Sequence, residues 1–189
     1  MLGEEGKDPV LAKLLDVKNL VSAADIHSKK EGIPDTRGVY AWFFEPHKLG
    51  IRSGHYEHLL DGKALLYVGV VPSTWYSKRT LPRRIRTHIR GTARQSTLRY
   101  SLGACLIDEL ALDVKHLPGF KLNFGDSENR LTEWICGNGY VVWSQHDEPW
   151  KVEKEFVELL KPALNLRFNE SHPFHAILTR RRKKLRQGE

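Results

Sequence analysis

The chain is poor in cysteine. Its 189 residues include two, Cys105 and Cys136. Each sits in an apolar run, Gly-Ala-Cys-Leu-Ile and Glu-Trp-Ile-Cys-Gly, without a CxxC partner, which argues against a zinc site built on thiolates. Two buried free thiols in a reducing compartment are expected instead. Long apolar runs are also missing: none approaches the roughly 20 residues needed to cross a bilayer. The first residues, Met-Leu-Gly-Glu-Glu-Gly-Lys-Asp, lack the charged-then-apolar pattern of a secretory signal. The expectation is a soluble cytoplasmic protein with no membrane partner. There is no internal repeat and no low-complexity linker, so one domain with extensions is expected at this length.

Acidic residues are the minority charge: 23 Asp and Glu stand against 30 Lys and Arg, a net +7. That balance suits a polyanionic partner, most commonly nucleic acid, though it also suits a basic surface with no partner. With 40% hydrophobic residues the chain can build a real core.

Residues 9–22 read as a short amphipathic helix. Residues 38–44, Gly-Val-Tyr-Ala-Trp-Phe-Phe, and 64–71, Ala-Leu-Leu-Tyr-Val-Gly-Val-Val, are β-branched and aromatic and read as two strands of a hairpin, joined by a long polar loop over 45–63. Residues 81–90 turn helical, with Leu81, Ile85 and Ile89 spaced by four, Pro82 in the first turn and Gly91 after the last. Ser96 or Thr97 caps a further helix to about residue 110. Residues 116–126 read as loop, 132–136 as a short helix, 140–144 as a third strand and 150–161 as a helix stopped before Pro162. The predicted fold is α+β, a small three-stranded, mainly antiparallel sheet flanked by helices. Residues 1–36 form a helical extension, 37–168 the main domain and 169–189 a basic C-terminal tail.

Some polar residues fall where a core stripe predicts apolar ones. On the 150–161 helix the stripe is Val152, Phe156, Val157, Leu159 and Leu160. Glu153 lies within roughly 60° of its centre, while Glu155 and Glu158 point away. A carboxylate facing the protein needs a cation, a metal or several donors, and a salt bridge is the plain alternative. On the 81–90 helix, Arg84 and His88 share one flank of the stripe, and Arg83 and Arg90 face outward. Arginine offers a fork for phosphate oxygens and histidine relays a proton near neutral pH, although such a pair also occurs on ordinary surfaces. His172 and His175 are too close together and too isolated for a metal site; a turn around Pro173 accounts for them.

Gly38-Val39-Tyr40 followed by Tyr67-Val68-Gly69 resembles the two-part signature of the GIY-YIG nucleases. Leu81-Pro-Arg-Arg84-Ile-Arg-Thr-His88 resembles that family's arginine helix, in the branch with histidine four residues on, which includes certain restriction endonucleases. Glu153 and Pro162-Ala-Leu-Asn165 resemble its metal-binding glutamate and the Pro-x-x-Asn after it. The resemblance covers roughly residues 37–168. Ser96-Thr-Leu-Arg-Tyr-Ser-Leu-Gly103 and His172-Pro-Phe-His175 are similar to segments of uncharacterised members.

The resemblance implies a metal-dependent endonuclease acting on nucleic acid, with double-stranded DNA the expected partner and no particular oligomeric state. Glu153 would hold one Mg2+ or Mn2+, with waters and substrate oxygens completing its shell. Arg84 would clamp a phosphate oxygen. Tyr40 would orient or deprotonate the attacking water and His88 take up the proton. Tyr67 would bond within the cluster, and Asn165 would fix the loop or the glutamate. Tyr40 and Tyr67 also fit as core strand aromatics, and Asn165 as a turn cap. Arg83, Arg86 and Arg90, with Arg180, Arg181, Arg182, Lys183 and Lys184 of the tail, are candidates for backbone phosphates. A tail that is only solvated is the alternative. The rival function is a catalytically inactive nucleic-acid-binding module of the same fold.

Overall fold

The computed structural model describes residues 8–29, 32–119 and 121–188. In chain order the elements are α1 (Pro9–Leu14), β1 (Val21–Ser22), α2 (Ala23–His27), β2 (Gly38–Phe44), β3 (Leu59–Leu60), β4 (Lys63–Val71), α3 (Leu81–Arg90) and α4 (Thr97–Leu106). They continue with β5 (Lys115–Leu117), β6 (Lys121–Asn123), α5 (Glu128–Asn138), β7 (Tyr140–Gln145), α6 (Pro149–Leu160) and α7 (His175–Gln187).

The α+β class and the antiparallel sheet hold, but the sheet has five strands rather than three, in the order β1-β7-β2-β4-β3. The three expected strands form its centre. The added edges are two residues each, too short to carry a period-2 pattern. One had a local cue: Asp61 and Gly62, both at positive φ (48° and 73°), make the tight turn that folds Leu59–Leu60 back on β4. A separate hairpin, β5–β6, lies within the segment read as loop. The expected helix over 9–22 ends at Leu14, because Asp16 accepts from the Lys18 amide and starts a separate turn. The expected 132–136 helix spans Glu128–Asn138.

The sheet divides the core into two layers. Tyr40, Trp42, Phe44, Leu66 and Tyr67 face one layer with Ile85, Leu98 and Leu178, so α3, α4, α5 and α7 pack there. Val39, Ala41, Phe43, Leu65 and Val68 face the other, with Leu14 of α1 and Phe156, Val157 and Leu160 of α6. Trp42 pairs with Tyr67 and Phe43 with Leu65, leaving Leu66 as the extra residue of a bulge. Leu159, which the sequence placed in the α6 stripe, is instead 52% exposed, since the sheet covers only the Phe156–Val157–Leu160 side. Both cysteines are free and half-buried rather than buried.

β3 pairs with the first residues of β4 alone, so the rest of that edge would present bare N–H and C=O groups. The Pro162–Asn165 turn closes it. The Leu164 amide donates to Leu66 O at 2.8 Å. Asn165 imitates a strand: its Oδ1 accepts from the Val68 amide at 3.0 Å and its Nδ2 donates to Val68 O at 2.9 Å. The site is built along this edge, where the α3 layer meets α6.

Candidate active site

The register of β2 against β4 sets Tyr40 opposite Gly69. A Cβ at position 69 would overlap the Tyr40 phenol ring and hydroxyl, so glycine there makes room for the tyrosine. Gly38 is needed for a similar reason, since a Cβ would run into Ser144 O and Leu81. These two close approaches are why glycine stands at each end of the paired motif.

On α3 the Leu81, Ile85 and Ile89 stripe is buried, at 0%, 0% and 1% exposure, which turns Arg84 and His88 toward the sheet. The Tyr40 hydroxyl lies 2.8 Å from His88 Nε2 and accepts from Arg84 Nε at 3.2 Å. Arg84 Nη1 donates to Gln95 O at 3.1 Å. His88 Nδ1 lies 2.7 Å from Ser96 Oγ, which also accepts the Arg99 amide as the cap of α4. One hydroxyl thus caps a helix and holds the imidazole. Sequence reasoning found the cap but not the histidine contact, because nothing in the pattern shows that α4 starts beside α3.

Tyr40, Trp42 and Tyr67 box in His88, with ring centroids 5.2, 6.1 and 5.6 Å away. Burial, then the Arg84 and Arg99 cations, hold its pKa well below the usual histidine value, so the ring is neutral near pH 7. Burial also raises Tyr40 and Tyr67, and Arg84 opposes both shifts. Arg99 is itself fully buried. It donates to Glu128 Oε2 through Nη2 at 2.6 Å and through Nε at 3.0 Å, and to Glu128 O at 2.8 Å. Glu128 Oε1 accepts the Ala93 and Phe124 amides at 2.7 and 3.2 Å. This network ties the end of α3, the start of α4 and the start of α5 into one support under His88.

Glu153 is half-buried on α6, while Glu155 and Glu158 are exposed, as periodicity predicts. It lines a cleft of about 350 Å³ with Tyr67, Arg84, Asn165, Arg167 and Arg182. Burial raises its pKa; Arg167 and Arg84 pull it back down. Among the described residues it forms no ion pair within 4 Å, so the plain salt-bridge reading fails. Also among the described residues, no three His, Cys, Asp or Glu gather anywhere that could hold a metal. One free carboxylate beside space for water and phosphate oxygens fits a hard cation such as Mg2+ and does not fit zinc.

The other basic candidates separate into places. Arg83 is exposed on a larger cleft of about 740 Å³ that Arg84 also lines. Arg86 and Arg90 line a neighbouring groove with Asp35 and Gly91, and Arg83 and Thr87 border both this groove and the larger cleft. The basic run near the C-terminus is not a loose tail but most of α7, anchored by buried Leu178 and Leu185. Arg181 turns inward to donate to Leu49 O at 3.3 Å. Arg182 stacks over Tyr100 at 4.1 Å and reaches the Glu153 cleft, where sequence reasoning had not placed it. Arg180, Lys183 and Lys184 are exposed.

Arg84 and Tyr67 thus face a lone carboxylate across a cleft, with Tyr40 and a neutral His88 buried behind the arginine. Such a set can bind a phosphodiester and move a proton beside it. The profile of the GIY-YIG catalytic domain matches residues 38–184, and the chain belongs to that family. Membership makes nuclease chemistry, and with it nucleic-acid binding, the activity the domain suggests. No curated protein and no solved structure matches the chain. No helix among the described residues is long and apolar enough to cross a membrane.

Proposed function

We propose that the protein is a divalent-metal-dependent endonuclease that hydrolyses phosphodiester bonds in DNA. The observation that carries this reading is the contact of buried Tyr40 with both His88 Nε2 and the Nε of Arg84, the arginine that lines the cleft with Glu153. Arg84 binds a non-bridging phosphate oxygen and offers its charge to the transition state. Glu153 holds a single Mg2+ or Mn2+, which when bound supplies further stabilisation of charge on the phosphate and the leaving oxygen.

Tyr40 is a poor base alone, because burial raises its pKa. It works as a relay: its oxygen takes a proton from water as its own proton passes to His88 Nε2. This needs the tautomer in which Nδ1–H donates to Ser96 Oγ, the contact at 2.7 Å. The depressed pKa of His88 opposes the transfer in the free protein. A phosphate bound at Arg84 offsets one of the two cations that depress it, so substrate raises the proton affinity of the base that must act on it. Tyr67 packs beside the pair, and Asn165 holds the β4 edge without touching substrate.

The test is cleavage of supercoiled and linear DNA by the purified chain in Mg2+ or Mn2+. Glu153→Gln abolishes cutting and weakens divalent-ion binding, with the melting temperature unchanged, and Glu155→Gln behaves as wild type. Equal cutting by Glu153→Gln rules out the metal assignment. DNA binding with no cutting under either metal leaves the inactive binding module as the function.

A further inference from the structure

Residues 72–80, between β4 and α3, carry two large aromatic side chains in water. Trp75 is 72% exposed and Tyr76 70%. They meet edge to face, ring centroids 5.7 Å apart at 87°, and neither belongs to a core cluster. A single exposed aromatic needs no explanation. Two adjacent ones are different when the same loop runs on into a cationic cleft.

Four residues after Tyr76's neighbour Trp75, Arg79 forms part of the wall of the 740 Å³ cleft, together with Arg83, Arg84, Arg94, Gln95 and Asn123. Among the described residues, no Asp or Glu lines this cleft. Among the described residues, none of its four arginines is in an ion pair. Four guanidinium groups around one cavity repel each other, and a chain of phosphates removes that repulsion. Arg84 is the wall shared with the Glu153 cleft, so a backbone lying in the larger cleft leads directly to the proposed cleavage point.

Phosphate contacts do not account for the aromatic pair. Its rings match base faces, and in a duplex those faces are covered by neighbouring bases. We propose that Trp75 and Tyr76 form a stacking platform for unpaired bases, and that Arg79, Arg83 and Arg94 hold the backbone between that platform and Arg84. The preferred substrate is then DNA with a single-stranded segment next to the cleavage point. The direction of the strand toward Arg84 rests on the nuclease reading; the binding preference does not.

Binding is measured by fluorescence anisotropy in EDTA with three labelled DNAs: a single strand of about 20 nucleotides, longer than a typical single-strand site, a blunt duplex, and a duplex with a single-stranded arm. The double variant Trp75→Ala/Tyr76→Ala should lose about tenfold or more in affinity for the single strand and the armed duplex. It should lose less than about twofold on the blunt duplex, which offers no free base face. Trp75→Phe restores binding to within about threefold while removing the quenching of Trp75 emission by the single strand. Arg94→Gln weakens all three DNAs and lowers the salt slope by about 0.7 to 0.9. An equal loss on all three DNAs in the double variant, or no loss, overturns the platform. Cleavage in Mg2+ separates the two readings. If the chain cuts nothing but binds as described, the nuclease reading fails and the platform stands. If it cuts DNA and the double variant binds as wild type does, the platform alone fails.

Discussion

Replacing Arg84 by alanine removes the charge that contacts Tyr40 and walls both clefts. The side chain donates to Tyr40 at 3.2 Å and to Gln95 O at 3.1 Å, and it forms the wall common to both clefts. A unit charge about 4 Å from a developing negative charge is worth about 4 kcal/mol at an effective dielectric of about 20. Arg84 is half-buried, so water screens part of this, and the expected loss is about 3 kcal/mol, or two decades in single-turnover rate. The variant also changes the base. Arg84 is the larger of the two cations that depress His88, after burial. Without it the His88 pKa rises toward the ordinary value while staying below it, because the ring remains buried. Neutral His88 is the competent form and is lost below its pKa, so the acid limb of the rate profile moves to higher pH. Arg84→Lys restores the charge but not the Nε contact, and recovers the limb position more fully than the rate. Single-turnover cleavage at saturating protein from about pH 5 to 9 tests both effects. Arg83→Ala, on the outer face, loses affinity in a salt-sensitive way before it loses rate. A loss below threefold in Arg84→Ala, or a larger rate loss in Arg83→Ala, refutes the α3 register drawn from Leu81, Ile85 and Ile89.

Three further outcomes are expected. Gly69→Ala puts a methyl group into the Tyr40 ring, costing about 1–3 kcal/mol of stability and most of the cleavage; urea melts and rates equal to wild type would mean the ring has another place to go. Asn165→Ala strands the Val68 N–H and C=O at the sheet edge and costs about 1–3 kcal/mol, whereas Asn165→Asp keeps the acceptor and recovers part of it; equal melts for all three chains would dismiss the mock-strand role. His88 is neutral in the fold but takes a proton near pH 6.5 when unfolded, so its contribution is present above that value and shrinks on acidification, by up to about 1.4 kcal/mol per pH unit. The stability difference between wild type and His88→Asn, followed by denaturant melts from neutral to acid pH, should narrow along that slope, and a pH-independent difference would count against a buried neutral ring.

Much of the local structure was legible in the chain. Leu81, Ile85 and Ile89 alone turn Arg84 and His88 inward, because a helix has a fixed angular period, and the same logic separates Glu153 from Glu155 and Glu158. Gly38 and Gly69 were legible only as parts of the paired motif; the close packing that requires them is seen in the fold. The short edge strands and the β5–β6 hairpin were not legible, since two or three residues carry no periodic signal. The basic C-terminal run shows the limit most clearly. Its charges read as a tail, yet Leu178 and Leu185 make it a packed helix and bring Arg182 to the Glu153 cleft, because a seven-residue spacing of two leucines gains meaning only when a hydrophobic face is there to receive it. The sequence by itself determined the facing of Arg84, His88 and Glu153, through the helical period set by local backbone geometry. Only the tertiary structure decided that they meet along the β4 edge, that Ser96 holds His88 and that Arg99 with Glu128 supports it, because contacts between residues far apart in the chain depend on how separate layers pack.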